Sequence, residues 1–329
     1  MKKLKVRTGP VVAMVNHSFP GRVNSDGFTL IELLVVIGTV GVLAADLLPA
    51  FGQSKGNSQS FQCLENTRRL ALAWRMYSED NRDLMVYSSD DGIGTVPYQT
   101  TVSPSRNQGN NCAWTWSKMD FSGENVYNYD TNADITLRPL WQYVKNATVY
   151  KCPADPSTVT VSLSQNTNFP NGSVVPRLRS YSMNFYLGGF GNNAADDPTG
   201  PFTVYLKQTD LSNKKSPGPN KTFVFICERC DCINWGSFET DFAGYPLPTS
   251  AGNPAAYQWN TDLPSSYHDF SASVSFADGH AELHRWRDPT TTPPLILGEL
   301  TGGKGSGATY DAGRSPDVAW MQSVTARPN

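Results

Sequence analysis

The sequence contains little cysteine, no basic stripe interleaved with aromatic residues, and no familiar catalytic motif in its usual structural context. Six cysteines in 329 residues are too few for a disulfide scaffold. The missing basic stripe argues against nucleic-acid binding. The one G-x-S-x-G match, Gly52–Gly56, follows the apolar run and does not lie between a strand and a helix as a nucleophile elbow does. An H-E-x-x-H helix and a phosphate loop are absent, so no set of nucleophile, base and oxyanion donors can be assigned. We therefore expect no catalytic residues and no enzymatic activity.

Charge is unevenly distributed along the chain. The formal net charge is −2, yet residues 1–27 contain five basic residues and a single acid, Asp26. The remainder of the chain is therefore more acidic than the whole. A basic leader ahead of an acidic body is typical of export across a membrane.

One apolar run, Phe28–Leu48, is long enough to cross a lipid bilayer. Its 21 residues include only two charges, Glu32 and Asp46. At about 1.5 Å per residue such a helix spans about 31 Å, close to the hydrocarbon thickness of about 30 Å. A cleaved secretory signal fits poorly, because the run is too long and the leader unusually extended. Hydropathy alone does not exclude a simple signal anchor, but Glu32 weighs against it, because an acid costs up to about 3 kcal/mol at mid-bilayer and its presence indicates a partner.

The stretch GFTLIELLVVI, starting at Gly27, resembles the class III signal of type IV prepilins and type II secretion pseudopilins. The resemblance implies that a prepilin peptidase cuts after Gly27 and methylates the new amino terminus at Phe28. It also implies that Glu32, at the fifth mature position, pairs with the amino terminus of a neighbouring subunit during filament assembly. The expected partners are this peptidase, other copies or other pilins, and an inner-membrane assembly platform, with no nucleic acid.

The sequence departs from many type IV pilins at its start. The leader is longer than usual and Asp26 precedes the cut site; a start codon at Met14 would shorten the leader. Pro49 falls soon after the apolar run, where a kink or local melting of the helix is expected.

An α+β, pilin-like fold is predicted, with one long N-terminal helix packed on an antiparallel sheet. Four segments follow from this prediction: a leader (1–27), a transmembrane helix (28–51), an amphipathic continuation (52–83) and a globular body (84–329). Apolar residues of the continuation recur three or four positions apart, which predicts a buried stripe. The predicted stripe comprises Phe61, Leu64, Leu70, Ala71, Trp74 and Tyr77.

Several segments of the body predict strands. Strands are predicted at RSYSMNFYLGG and at KTFVFICE. The second segment is apolar enough for a central position in a sheet. A short helix that ends near Asn146, followed by a strand at Thr148–Lys151, is also expected. Beyond Pro289 we expect a loosely packed ending.

The sequence SASVSFADGHAELHRW predicts a hairpin with a type I′ turn at Asp278-Gly279. That pairing places Val274 on the same face as Ala281 and Leu283. His268 stands ten positions before Asp278, which resembles the H-x9-DG motif of large prepilin-like proteins of the Planctomycetes–Verrucomicrobia kind. The segments CPAD and RSYSMN are similar to theirs as well.

His280, Glu282 and His284 alternate along the second hairpin strand, and two imidazoles with a carboxylate could bind a metal. His268 or Asp278 would supply a further ligand. The competing interpretation is a solvated strand face, which we favour. A calcium in an Asp- or Asn-rich loop is a second possibility, although no loop has a recognisable calcium spacing. No cofactor is therefore assigned.

The segment CERCDC, with Cys227, Cys230 and Cys232, suggests zinc or redox chemistry in a cytosolic chain. In an exported body a local disulfide is favoured over a metal. Cys63 and Cys152 lie in two of the family-like segments, and a bridge between them would pin the long helix to the sheet.

Two functions remain open from the sequence. One is a filament subunit for secretion or attachment, anchored in the cytoplasmic membrane with its body in the periplasm or outside the cell. The other is a membrane-anchored surface module that does not polymerise and binds a glycan or protein, with Trp114, Trp116 and Trp235 as its contacts.

Overall fold

The structure, a computed structural model, describes residues 29–89, 113–115, 118–162, 164, 166–189, 201–300 and 309–329, without the side chains of residues 41–55. The chain divides into two units, Met1–Gly52 and Gln53–Asn329. Gly27, Phe28 and Trp116 lie outside the described residues, so the predicted cleavage and methylation positions stay predictions.

Helix α1 runs from Leu30 to Asp80. It ends where the sequence predicts, because Arg82 and Asp83 adopt left-handed backbone conformations and the Asp83 amide bonds back to the Ser78 carbonyl. The helix continues through Pro49, so the expected local melting is absent, while the predicted kink remains untested.

No helical stretch among the described residues is long and apolar enough to cross a membrane. The predicted span Phe28–Leu48 includes positions outside that description, and it stays a prediction.

The second unit is built on a five-stranded sheet in the order β5-β3-β4-β7-β8. Its strands are β3 (Tyr181–Asn184), β4 (Phe223–Cys227), β5 (Ser237–Phe238), β7 (Ser271–Phe276) and β8 (Ala281–Arg285). All pairings are antiparallel except β3 with β5. The central position predicted for the apolar strand β4 is confirmed, and the fold is α+β.

Two small antiparallel sheets and short helices complete the described fold. The small sheets pair β1 (Thr158–Thr160) with β2 (Val174–Pro176) and β6 (Gln258–Trp259) with β9 (Tyr310–Asp311). The α-helices are α2 (Trp141–Val144) and α3 (Pro316–Thr325); short 3-10 helices lie at Val126–Asn128, Ile135–Leu137, Ala147–Tyr150, Gln208–Ser212, Pro254–Ala256 and Pro289–Thr291.

Two helices cover opposite faces of the main sheet. The C-terminal half of α1 lies against one face, where the Thr67 and Ser273 hydroxyls are 2.5 Å apart. Helix α3 lies against the other face: the Asn184 amide donates to the Thr325 carbonyl, and the His284 ring stacks on Trp320. Successive side chains of a strand point to opposite faces of the sheet, so α1 buries one set of side chains and α3 buries the other.

The buried stripe of α1 differs in part from the predicted one. Leu70, Ala71, Trp74 and Tyr77 are buried, but Phe61 is 65% exposed. The stripe begins instead at Cys63 and includes the polar Asn66 and Thr67, which hydrogen-bond into the body.

Two predictions about the body are wrong. Residues Thr148–Lys151 are not a strand, because Asn146 caps a 3-10 helix at Ala147–Tyr150 by accepting from the Thr148 amide. The C-terminal segment is not loosely packed: α3 buries Val318, Met321 and Val324.

The hairpin forms, but its register differs by one residue from the prediction. Val274 pairs with Glu282 and Ser275 with Ala281. The turn is a three-residue loop, Ala277–Gly279, in which the Gly279 amide bonds to the Phe276 carbonyl and Gly279 takes φ +97°. A slip of one residue exchanges the faces, so Ser273 and Ser275, not Val274, share a face with Ala281 and Leu283.

Candidate functional site

The first candidate site is the start of α1, where Thr29 and Glu32 form a capping box. The Glu32 amide donates to the Thr29 hydroxyl at 3.2 Å, and the Thr29 amide donates to Glu32 Oε2 at 2.9 Å. The Thr29 hydroxyl donates to the same oxygen at 2.9 Å. Glu32 thus satisfies a backbone donor at the helix terminus. This role was not predicted from the sequence, although the T-x-x-E spacing is its signal.

The residues that follow Glu32 are strongly exposed. Large apolar side chains between positions 30 and 40 are each at least 48% accessible: Leu30, Ile31, Leu33, Leu34, Val35, Val36, Ile37 and Val40. Apolar surface of this extent is costly in water, and it is typical of a segment that a membrane or other protein chains cover.

The second candidate site is a buried cluster of three thiols and an imidazole. Cys63 lies on α1, Cys152 follows the 3-10 helix at Ala147–Tyr150, Cys227 ends β4, and His268 precedes β7. Ligand atoms of Cys63, Cys152 and His268 lie within 4.8 Å of one another. The Cys227 thiol interacts with both other thiols, but its sulfur is not within 4.8 Å of all three of these ligand atoms.

Hydrogen bonds fix the orientation of the cluster. His268 Nε2 is 3.3 Å from the Cys152 sulfur, and Nδ1 is 3.3 Å from the Ser60 hydroxyl. The Tyr181 hydroxyl donates to the Cys63 sulfur at 3.3 Å. The turn after His268 is strained, since Asp269 and Phe270 both have positive φ.

The three thiols have strongly different proton affinities. Burial raises the pKa of Cys63 and of Cys227, and their hydrogen bonds with Cys152 raise both further. Burial acts in the same direction on Cys152, but hydrogen bonds from Cys227, Cys63 and His268 outweigh it and hold the pKa of Cys152 well below its usual value. The cluster therefore favours one thiolate, stabilised by its neighbours.

Among the described residues, Cys63, Cys152, Cys227 and Cys230 are free thiols, so neither the Cys63–Cys152 bridge nor a bridge within CERCDC is formed. All four, and Cys232, are buried. The structure does bring Cys63 beside Cys152, as the sequence suggested. Cys227 and His268 also lie there, and their proximity was not predicted from the sequence.

Cys230 and Cys232 lie in a loop that two buried arginines hold in place. Arg177 donates to the Cys230 and Ile233 carbonyls, and Arg179 donates to the Trp235 carbonyl at 2.6 Å. The cysteines of CERCDC therefore lie in two different elements: Cys227 ends strand β4, and Cys230 and Cys232 lie in the loop that follows it.

The three hairpin residues proposed as weak metal ligands do not form such a cluster within the described chain. His280 Nδ1 lies 2.5 Å from Asp278 Oδ1, and the His280 ring stacks on Phe276. His284 Nδ1 is 3.5 Å from Glu282 Oε1, and the hydrogen bond from His284 lowers the pKa of Glu282. The metal assignment to these residues stays untested.

Trp114, a proposed surface contact of the alternative function, is a core residue. It is fully buried, stacks on Tyr150, and donates from its indole nitrogen to the Gly236 carbonyl at 2.9 Å. Trp235 is half-buried.

Comparisons with family models, with curated proteins and with solved structures return no match.

Proposed function

We propose that the chain is a structural subunit of a filament, similar to type IV pilins and pseudopilins. A prepilin peptidase cuts it after Gly27 and methylates Phe28. The apolar start of α1 anchors it in the cytoplasmic membrane with the body on the outer side. The same helix then packs against other copies or other pilins at an inner-membrane assembly platform, for secretion or attachment.

The observation that carries this proposal is the exposure of the apolar side chains at positions 30–40. Leu30 is 79% and Ile37 61% accessible, and their neighbours point to every side of the helix. Lipid can cover such a surface before assembly and the helices of other subunits can cover it afterwards. One surface then serves both as the membrane anchor and as the packing surface of the filament.

A second apolar strip lies farther along α1. Phe61, Leu72 and Met76 are exposed on a helix whose opposite stripe packs on the sheet. They are spaced by whole turns and so lie on one side of the helix. This strip supports helix packing between subunits beyond the membrane.

Glu32 gives the proposal its sharpest test, because its role as a helix cap and its proposed role in an ion pair between subunits can be separated. Both hydrogen bonds from Thr29 use Oε2, which leaves Oε1 for the amine of a neighbouring subunit. Glutamine at this position preserves the capping box but carries no charge. Alanine removes both the cap and the charge.

The experiment compares filament assembly in cells that produce the unaltered chain, Glu32→Gln, Glu32→Ala or Thr29→Ala. If the acid pairs with an amine between subunits, both Glu32 variants are processed and inserted but do not assemble, whereas Thr29→Ala still assembles. If Glu32 only caps the helix, Glu32→Gln assembles normally, and the proposed ion pair is refuted. Mass spectrometry of the extracted protein must also find N-methylated Phe28; an intact leader would refute the class.

A further inference from the structure

We propose that Cys63, Cys152, Cys227 and His268 form a buried tetrahedral zinc site that joins α1 to the sheet. This proposal does not depend on filament assembly. It rests on the convergence of three ligands from three separate segments, Cys63, Cys152 and His268, whose ligand atoms lie within 4.8 Å of one another, with the Cys227 thiol beside them as the fourth.

The ligand chemistry matches zinc. Three thiolates and an imidazole form one of the usual donor sets of structural zinc sites, and soft sulfur donors disfavour calcium and magnesium. Zinc bonds of about 2.3 Å to sulfur and about 2.1 Å to nitrogen place a sulfur and a nitrogen ligand about 3.6 Å apart at the tetrahedral angle. The separation between the Cys152 sulfur and His268 Nε2 is 3.3 Å, so an ion fits between them with shifts of tenths of an ångström.

The surroundings also resemble a metal site more than an ordinary core. Buried cysteines often act as small apolar side chains, but such thiols need no imidazole directed at them. His268 presents Nε2 to the sulfur while its other nitrogen meets the Ser60 hydroxyl. A second hydrogen bond of this kind orients most metal-bound histidines.

Hydrogen bonds extend the site by a further shell. The Tyr181 hydroxyl donates to the Cys63 sulfur, and the Asn66 amide donates to the Tyr181 oxygen at 3.4 Å. Three thiolates with one zinc ion leave a net negative charge, which a donated O–H stabilises in a buried position. A fully apolar pocket would lack these donors.

The test measures zinc in the full-length chain, purified in mild detergent without chelators. We expect about one zinc per chain by elemental analysis, in keeping with a single four-ligand site. Replacement by Co²⁺ should give the absorption of sulfur-to-cobalt charge transfer and of tetrahedral cobalt. Cys63→Ser and Cys227→Ser should lose the metal, whereas Cys232→Ser, a buried cysteine outside the cluster, should retain it. Ser60→Ala should weaken zinc affinity by about tenfold.

Measurements on the unaltered chain decide the proposal even if variants misfold. Zinc-free protein that binds no Co²⁺ after reduction would overturn it. So would peptide mapping that finds a disulfide between any two of the three clustered cysteines in freshly isolated protein. Retention of zinc in the Cys63 and Cys227 variants together, with loss in Cys232→Ser, would place the metal elsewhere and would also overturn it.

Discussion

Asp262 is a buried carboxyl group whose proton affinity changes on folding. Burial raises its pKa; the hydrogen bond from the Glu239 amide and the nearby Arg179 guanidinium lower it in part, and the Glu239 carboxylate raises it, with a net pKa of about 8. An unfolded aspartate titrates near 3.8. At pH values between about 3.8 and 8, Asp262 is therefore protonated in the folded state and ionised in the unfolded state.

This difference predicts a pH-dependent stability. Because the folded pKa is raised, the contribution of Asp262 is fully present below the unfolded pKa and is lost as the pH rises through about 8. The free energy of unfolding should therefore fall as the pH rises from about 6 to about 9. These limits lie about two pH units below and one above the folded pKa. Asp262→Asn should flatten this dependence, and the exposed Glu79→Gln should not. Denaturant titrations at several pH values measure it; equal slopes for Asp262→Asn and the unaltered chain would contradict the assignment.

At the scale of elements, the β7-β8 hairpin depends on one glycine. Gly279 has φ +97°, and an added Cβ would lie 3.2 Å from the flexible Arg75 side chain, so space is not the main restriction. We expect Gly279→Ala to cost about 1–2 kcal/mol of stability through backbone strain. Gly279→Asn should cost less, because asparagine tolerates the left-handed region. Denaturant unfolding of both variants checks the order, and a greater loss for asparagine would point to crowding instead of strain.

The hairpin also shows where sequence reasoning succeeds and where it stops. Strand positions and the Asp278-Gly279 turn were predictable from local alternation and turn chemistry. The register was not, because Asp-Gly fits both a two-residue loop and a three-residue loop. Alternation could not decide between them, since every residue of β7 is buried: apolar side chains face α3 and serines face α1.

In the candidate sites, too, local features could be predicted from the sequence and long-range contacts could not. The capping box at Thr29 and Glu32 depends on local spacing and is readable in the sequence. The meeting of Cys227 and His268 with Cys63 depends on how the sheet places distant segments, and no periodicity carries that information. The order of α3 was also missed, because its packing partners, such as Trp286 and His284, come from another element.

At the scale of the whole molecule, the exposed apolar surface at the start of α1 predicts that the protein partitions into membranes and not into the aqueous phase. We expect the full chain to remain with membranes after alkaline extraction. Val36→Arg should release a substantial fraction, because a charge at the centre of a membrane helix costs about 3 kcal/mol. Leu72→Arg, on an exposed face of the same helix in the body, is the matched control and should stay bound. Equal release of both variants would argue against an anchor at residues 30–40.

The meeting of distant segments at the thiol cluster has a consequence for the order of folding. Cys152 and His268 are 116 positions apart in the chain, and Cys63 lies on a third segment. Contacts between remote segments require long loops to close, so they form late and slow the folding reaction. Until β4 and β7 are in place the thiols are separate and accessible to oxidants. The protein thus passes through a vulnerable interval between synthesis and completion of the sheet, and the cellular environment during that interval determines whether the cysteines reach the native state reduced.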